Sequence, residues 1–340
     1  MKYSIGYQLP DEYDSITEIV QDFRENVEEV YFAWPGEASG RSPLGLFNEN
    51  DMEAIREVFE DELQQLGRMG IKLVLLFNSN CYGDSSVSVE FQNRITGIIG
   101  KILNKTSLYS VTTTSPFVAK TVKTAFSQIE VRASVNMRIG TVKGMEYLAE
   151  YFDGYYMQRE FNRDLNRIEE LKKWCGINGK NLYILANSGC LNFCSSQTYH
   201  DNLVAHEAGI VTKQNVESKY PSPCWEYMEK QENWVAFLQN SWIRPEDIKN
   251  YEKWFGTVKL ATRMHANPRK VLSAYIRGKH NGNLLDLTEP GYGKVFKNNI
   301  IDNTLFPGDW FEMTSMCKKD CHRCEYCKTV LAKVLVSMNV

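Results

Sequence analysis

Eight short β-rich runs recur along the chain, and stretches with helical spacing separate most of them, a pattern that few architectures can absorb. The runs are YSIGYQL (3–9), EEVYFAW (28–34), IKLVLLFN (71–78), SLYSVTT (107–113), IEVRASVN (129–136), FDGYYMQ (152–158), NLYILAN (181–187) and GTVKLAT (256–262). Between them, DMEAIREVFEDELQQLGRMG (51–70) and DLNRIEELKKWCGINGK (164–180) gather apolar residues on one helical face, and PRKVLSAYIRGK (268–279) reads as a further helix. Strand followed by helix, repeated, predicts a parallel sheet with helices outside it. Eight such units predict an α/β fold of the (β/α)8 TIM-like barrel type, with an open doubly wound sheet as the alternative. In a barrel the active site lies beyond the strand ends, in loops such as 35–41, 78–83, 136–138, 159–164, 187–190 and 262–265.

The chain has 340 residues, 43% of them hydrophobic and 24% charged, enough for a full core. Lys plus Arg number 39 against 42 Asp plus Glu, a formal charge of -3, so no whole-surface attraction to phosphate backbones is expected. No apolar run approaches the roughly 20 residues that cross a bilayer, and the first residues, MKYSIGYQLPDEYDS, lack a secretory core. The expectation is a cytoplasmic protein with no membrane association. Residues 1–280 form the expected barrel, and 191–245 is too long for an ordinary βα loop, so it reads as an inserted cap over the barrel mouth. Residues 281–340 form a cysteine-rich C-terminal tail, too short to stand alone, that is expected to pack on the barrel.

Nine cysteines in a reducing compartment point to metal binding or redox chemistry rather than disulfides. Cys81 and Cys175 stand alone and read as small core hydrophobes. GCLNFC supplies Cys190 and Cys194 directly after a predicted strand, and SPCWEY supplies Cys224. The tail carries Cys317, Cys321, Cys324 and Cys327 in a C-x3-C-x2-C-x2-C run, close to the reverse of the compact spacing by which small ferredoxins hold iron–sulfur clusters. Zinc is the alternative at the C-terminal cysteines, although its usual two knuckles are separated by a spacer that is missing here. The preferred reading is one [4Fe-4S] cluster held by Cys190, Cys194, Cys224 and one tail thiolate, with a second centre left open.

Several of these stretches resemble the peptidase U32 family, a set of barrel proteins that includes collagenase-like proteases by name and oxygen-independent hydroxylation proteins. EEVYFAWPGEASGR (28–41) resembles the family's early strand and glycine loop, and MQREFNRDLNRIEEL (157–171) resembles its Ser-Arg-Glu-Leu segment, with Gln158 at the serine position and Arg159 and Glu160 retained. YILANSGCLNFC (183–194) resembles the strand that enters its cysteine loop. The stretch 242–279 is similar to the surroundings of its Lys-Ile-Glu-Gly-Arg motif, with Lys259 and Arg263 retained and Ala261 in place of the glutamate. The resemblance runs from about Val30 to Lys279, and the cysteine-rich C-terminus marks the chain as a divergent member. For hydroxylating members it implies a [4Fe-4S] cluster on four cysteines and prephenate, rather than dioxygen, as oxygen donor. Cys190 and Cys194 match a close cysteine pair of that cluster, whereas Cys224 and the tail set depart from the better-known arrangements.

The expected function is therefore an iron–sulfur barrel enzyme of oxygen-independent hydroxylation or related redox modification. The alternatives are a non-catalytic iron–sulfur protein that binds a partner, and a U32-type peptidase. No HExxH motif occurs, and His200 and His206 lie six residues apart on different sides of a helix, which gives direct metalloprotease chemistry little support. These two and His265 read first as hydrogen-bonded structural residues, with acid–base roles as the alternative. Arg159, Glu160, Lys259 and Arg263 are the candidate substrate-binding residues, because guanidinium forks pair bidentately with carboxylates such as those of a prephenate-like donor. Asn136, Arg138 and Asn187 are weaker candidates, chosen by their places at strand ends. A small molecule or an RNA is admissible as substrate, and a protein partner or hetero-oligomer is compatible with the tail.

Overall fold

All eight β-rich runs become strands of one parallel sheet: β1 (Lys2–Gly6), β2 (Val27–Ala33), β3 (Lys72–Phe77), β4 (Ser110–Thr113), β5 (Glu130–Ala133), β6 (Gly154–Tyr156), β7 (Asn181–Tyr183) and β8 (Thr257–Lys259). The computed structural model describes residues 1–10, 14–40, 49–207, 210 and 222–338. Strand order is β7-β6-β5-β4-β3-β2-β1-β8, and a parallel bridge between Leu185 and Lys259 joins the two ends. Across that seam the Ala186 N–H donates to the Lys259 carbonyl at 3.0 Å. The sheet is thus a (β/α)8 barrel, and the doubly wound alternative is excluded.

Six helices follow the first six strands: α1 (Ile16–Asp22), α2 (Glu49–Arg68), α3 (Val89–Leu103), α4 (Pro116–Ala125), α5 (Val142–Glu146) and α6 (Leu165–Ile177). Side-chain caps fix where most of them begin. Ser15 forms a capping box with Glu18, and Ser88, Ser115, Thr141 and Asp164 each accept a backbone N–H of the first turn. α3 buries Phe91, Ile95, Ile98, Ile99 and Ile102, one stripe at helical spacing, and each such side chain contributes roughly 1.5–3 kcal/mol by leaving water. Cys175 is fully buried on α6 as expected, whereas Cys81 is only half-buried in the loop after β3.

Two segments decorate the barrel. Between β7 and β8 lie α7 (Gln197–Ala205), α8 (Pro223–Met228), α9 (Val235–Leu238) and a 3-10 turn (Pro245–Tyr251), which together form the cap; its positions 208–209 and 211–221 lie outside the described residues. After β8, α10 (Pro268–Arg277) returns along the barrel and buries Val271, Leu272, Ala274 and Tyr275. The tail then adds α11 (Gly293–Phe296), β9 (Asn299–Ile301), α12 (Trp310–Ser315), α13 (Tyr326–Val334) and β10 (Leu335–Ser337), with β9 and β10 antiparallel. It is anchored by stacking of Trp310 on Trp242 at 5.8 Å and by Arg244, whose Nε donates to Asn303 Oδ1 at 3.0 Å. Arg163 is inserted over both indoles, 4.3 Å from Trp242 and 5.1 Å from Trp310.

The barrel interior is unusually polar. Layers of branched aliphatic side chains are the common filling of such barrels. Here Arg132 of β5 reaches across to Glu29 of β2, donating from Nη1 to Oε2 at 3.0 Å and from Nη2 to Oε1 at 2.8 Å. Its Nε also donates to Glu130 at 2.8 Å, and its guanidinium lies 4.1 Å from the Tyr183 ring centroid. The two principal partners are 1% and 3% exposed, so removing Arg132 leaves Glu29 a buried charge without its counter-ion, and removing Glu29 leaves Arg132 with Glu130 alone. Glu29→Gln and Arg132→Met should each lower unfolding free energy by about 3–5 kcal/mol in equilibrium denaturant titrations, and the double substitution should recover much of that loss.

Candidate functional site

At the carboxyl ends of the strands the barrel opens into a cavity of about 310 Å³, within the range of small-molecule sites. Its floor is β8. Lys259 ends that strand with its side chain inside the barrel, and its Nζ stands 3.8 Å from the Tyr31 ring centroid and 4.9 Å from that of Tyr156. Among the described residues no carboxylate forms an ion pair with it. Burial pushes its pKa down to about 7; Arg263 and Arg132 act in the same direction against Glu29.

Arg263 follows at the same strand end. Its backbone lies against β1, where a Cβ at Gly6 would sit 2.7 Å from the Arg263 nitrogen, so only glycine lets the two segments approach. Its Nη1 donates to Ser39 Oγ at 2.9 Å, and Ser39 in turn donates to Asn78 Oδ1 at 2.9 Å. The guanidinium is thereby held at the mouth in a fixed pose. Arg159, in the 3-10 turn Arg159–Phe161 after β6, lines the same cavity and is 8% exposed. Glu160 does not line it; its side chain is buried, and Oε2 has no hydrogen-bond partner among the described residues. Three of the four candidate substrate-binding residues therefore share one cavity.

The same cavity is lined by Cys190, Cys194 and Cys224. Backbone chemistry delivers the first two: β7 continues as an extended segment whose Asn187 side chain donates to the carbonyls of Ala261 at 3.1 Å and Leu287 at 2.9 Å. Gly189 then passes the tail so closely that a Cβ would lie 1.9 Å from the Pro290 carbonyl oxygen. Asn240 fastens the loop, donating to the Gly189 carbonyl at 2.8 Å and accepting the Asn192 N–H at 3.1 Å. Cys224 enters from the first turn of α8, and burial raises its thiol pKa, helped by the nearby sulfurs of Cys190 and Cys194 and opposed by a hydrogen bond from Tyr292.

The tail thiols gather elsewhere. None of Cys317, Cys321, Cys324 and Cys327 lines the cavity. They face one another beside Arg163: burial pushes the Cys327 thiol up to about 11, with Arg163 opposing and the other three tail sulfurs adding to it. Burial likewise lowers the pKa of Lys319, which sits between Cys317 and Cys321. The seven thiols thus form a mouth group of three and a tail group of four. Among the described residues, no three or more His, Cys, Asp or Glu side chains converge tightly enough to hold a single metal ion.

Of the weaker candidates, Asn136 and His200 line the cavity, Arg138 pairs with Asp201 at 3.8 Å, and Asn187 is a fully buried bracket between β7 and β8 rather than a substrate contact. His265 accepts the Asn267 N–H on Nδ1 at 3.0 Å, a turn-forming role. His206 caps the end of α7 through its backbone. Glu37, in the loop after β2, pairs with Arg94 at 3.1 Å. Sequence reasoning missed Tyr31, Tyr156, Ser39 and Asn78, which shape and orient the site. Strand alternation would have placed both tyrosines inside, since Tyr31 follows Glu29 and Tyr156 follows Gly154 on the same strand faces.

No family model matches the chain. Over 96% of its length the chain is 24% identical to an uncharacterized protease of Methanocaldococcus jannaschii, of which it covers 94%. A solved structure of a U32 peptidase superposes on it with a TM-score of 0.55, covering 77% of this chain and 93% of that one at 12% identity. The chain thus shares the barrel fold of a U32 peptidase over about three quarters of its length, and is similar in sequence to the archaeal protease over nearly all of it. No described helix is long and apolar enough to cross a membrane.

A lysine whose pKa falls on folding from 10.5 to about 7 disfavours the native state whenever it must carry charge. The cost is full below pH 7, shrinks as pH rises, and disappears above the unfolded value of 10.5. Lys259→Met should therefore raise Tm most at pH 6 and progressively less toward pH 10, as thermal unfolding across that range would register.

Proposed function

We propose that the protein is a U32-like enzyme that holds an iron–sulfur cluster on Cys190, Cys194 and Cys224 and binds a carboxylate-bearing substrate beside it, in oxygen-independent hydroxylation or related redox modification. The reading is carried by one observation: three thiols and three basic side chains, Arg159, Lys259 and Arg263, line the same cavity. Three cysteines at one cavity, two of them in the close GCLNFC pair, are the thiolate donors that a [4Fe-4S] cube would take. When bound, such a cluster supplies electron transfer, or Lewis acidity at an iron that no cysteine ligates.

The remaining work belongs to the chain. Arg263, oriented by Ser39, receives one carboxylate of the substrate, and Arg159 is placed for a second. Leu76, Leu191 and Trp225 provide apolar wall against the body of the molecule. Cys194, His200 and Trp225 of the cap wall the cavity, and charge-assisted hydrogen bonds gain strength where the surroundings are of low dielectric.

Protein purified without oxygen should be brown, bleach under dithionite, and carry about four irons with matching sulfide per chain. Cys190→Ala, Cys194→Ala and Cys224→Ala should each lose that iron, whereas Cys324→Ala should keep it. Retention of full iron in all three mouth variants, or zinc in place of iron, would overturn the assignment. Arg159→Ala and Arg263→Ala should each weaken prephenate binding by about 10–100-fold in titrations, the loss of one buried charge-assisted contact. Peptide cleavage that survives iron chelation would favour instead the protease activity for which the archaeal relative is named.

A further inference from the structure

We propose that Lys259 is an amine nucleophile, which condenses with the ketone of a small 2-oxo acid held at its carboxylate by Arg263 and forms a protonated imine in the barrel mouth. The inference rests on the carboxylate-binding part of the function proposed above and is independent of its cluster.

The geometry isolates this amine. Glu29, the interior carboxylate that acts on Lys259 electrostatically, has both oxygens engaged by the Arg132 guanidinium at 2.8 and 3.0 Å. Two residues beyond Lys259, past the end of β8, stands Ala261, a cavity-lining side chain that offers neither charge nor hydrogen bond. The Tyr31 hydroxyl is committed as well, donating to the Leu260 carbonyl at 2.8 Å and accepting the Thr262 N–H at 3.2 Å. Lys259 is therefore packed between two aromatic rings, in the same cavity as a guanidinium held by Ser39, and among the described residues no carboxylate forms an ion pair with it. Desolvation and a neighbouring cation are the two conditions that keep a lysine neutral enough to attack a carbonyl. Its pKa of about 7, lowered by burial and then by Arg263, agrees with that environment.

The size of the cavity and the pairing of a cation with a buried amine point to the ligand. A cavity of about 310 Å³ admits a small molecule, and an anion anchored on Arg263 presents its neighbouring carbon toward the preceding strand residues. In a 2-oxo acid that neighbour is a ketone. The nitrogen lone pair forms the C–N bond while the carbonyl π pair moves to oxygen. The attacking nitrogen gives up one proton to that oxygen, a second proton from solvent turns the hydroxyl into a leaving water, and the nitrogen lone pair so freed closes the C=N bond as water departs. The product is a cationic imine plus water; no oxidant or reductant is consumed. The cationic imine then stands over the Tyr31 face, which favours positive charge.

Full-length protein, purified without oxygen, is incubated separately with pyruvate and phenylpyruvate in the presence of cyanoborohydride, then examined by intact mass and peptide mapping. The expected result is one reduced adduct per chain with at least one of the acids, mapped to Lys259 and absent from Lys259→Met. Ala261→Glu, which supplies the missing carboxylate and keeps the amine protonated, should slow trapping by at least about tenfold, the effect of one pKa unit. Arg263→Ala should raise the acid concentration needed for half-maximal trapping by about tenfold or more. Thermal unfolding checks that each variant is folded. Failure to form an adduct with either acid, labelling that persists in Lys259→Met, or trapping in folded Ala261→Glu as fast as in the parent would each overturn the proposal. Iron content measured on the same samples separates the two readings, since an adduct without iron leaves this one standing and iron without an adduct leaves only the other.

Discussion

The bidentate contact between Glu29 and Arg132 decides what kind of barrel this chain can build. A charge pair at 1% and 3% exposure contributes little net stability compared with apolar filling, but once formed it fixes the lower interior as a place for no other ion. Arg132 is held on Glu29, Glu130 and the Tyr183 ring at once, so β2, β5 and β7 are tied together through one guanidinium. Above it the interior carries Tyr31, Tyr156 and Lys259, and the space that an aliphatic layer would fill is left to the mouth cavity. The polarity of the site thus begins beneath it.

A second constraint is the seam between β7 and β8. Both strands are three residues long, and a single bridge with its flanking hydrogen bonds closes the barrel there. The whole cap is inserted at that junction, which puts the least hydrogen-bonded part of the wall next to the longest excursion of the chain. Asn187 compensates by bonding to Ala261 and Leu287, joining β7, β8 and the beginning of the tail. The loop that carries Cys190 and Cys194 leaves from this bracket, so its placement follows from a side chain with no part in binding.

The strands were legible because buried parallel strands read as continuous apolar or β-branched runs, as in KLVLLF of β3, and because capping residues sit where the helices start. The position of Arg159, Lys259 and Arg263 around one cavity was legible too, since strand ends of a barrel converge. Glu160 was not, because the turn after β6 sends consecutive side chains in different directions. The split of the thiols could not be read either. Spacing alone allowed a tail cysteine to join the mouth set, but Trp310 docks on Trp242 and Asn303 on Arg244, and these contacts carry the tail to the flank of the cap, beside Arg163. Ser39 and Asn78 fall in loops expected at the mouth but could not be singled out, because a polar chain that orients an arginine has no sequence signature beyond loop polarity.

Gly189 and the Pro290 carbonyl touch where the cysteine loop crosses the tail, with no room for even a methyl group between them. Neither segment can change course alone: a side chain at 189 would have to displace the tail, and a rerouted tail would uncover the roof beside Cys190. Over evolutionary time the two are therefore expected to drift as a unit, so that lineages that remodel or discard the terminal extension must also rebuild the entrance of the barrel.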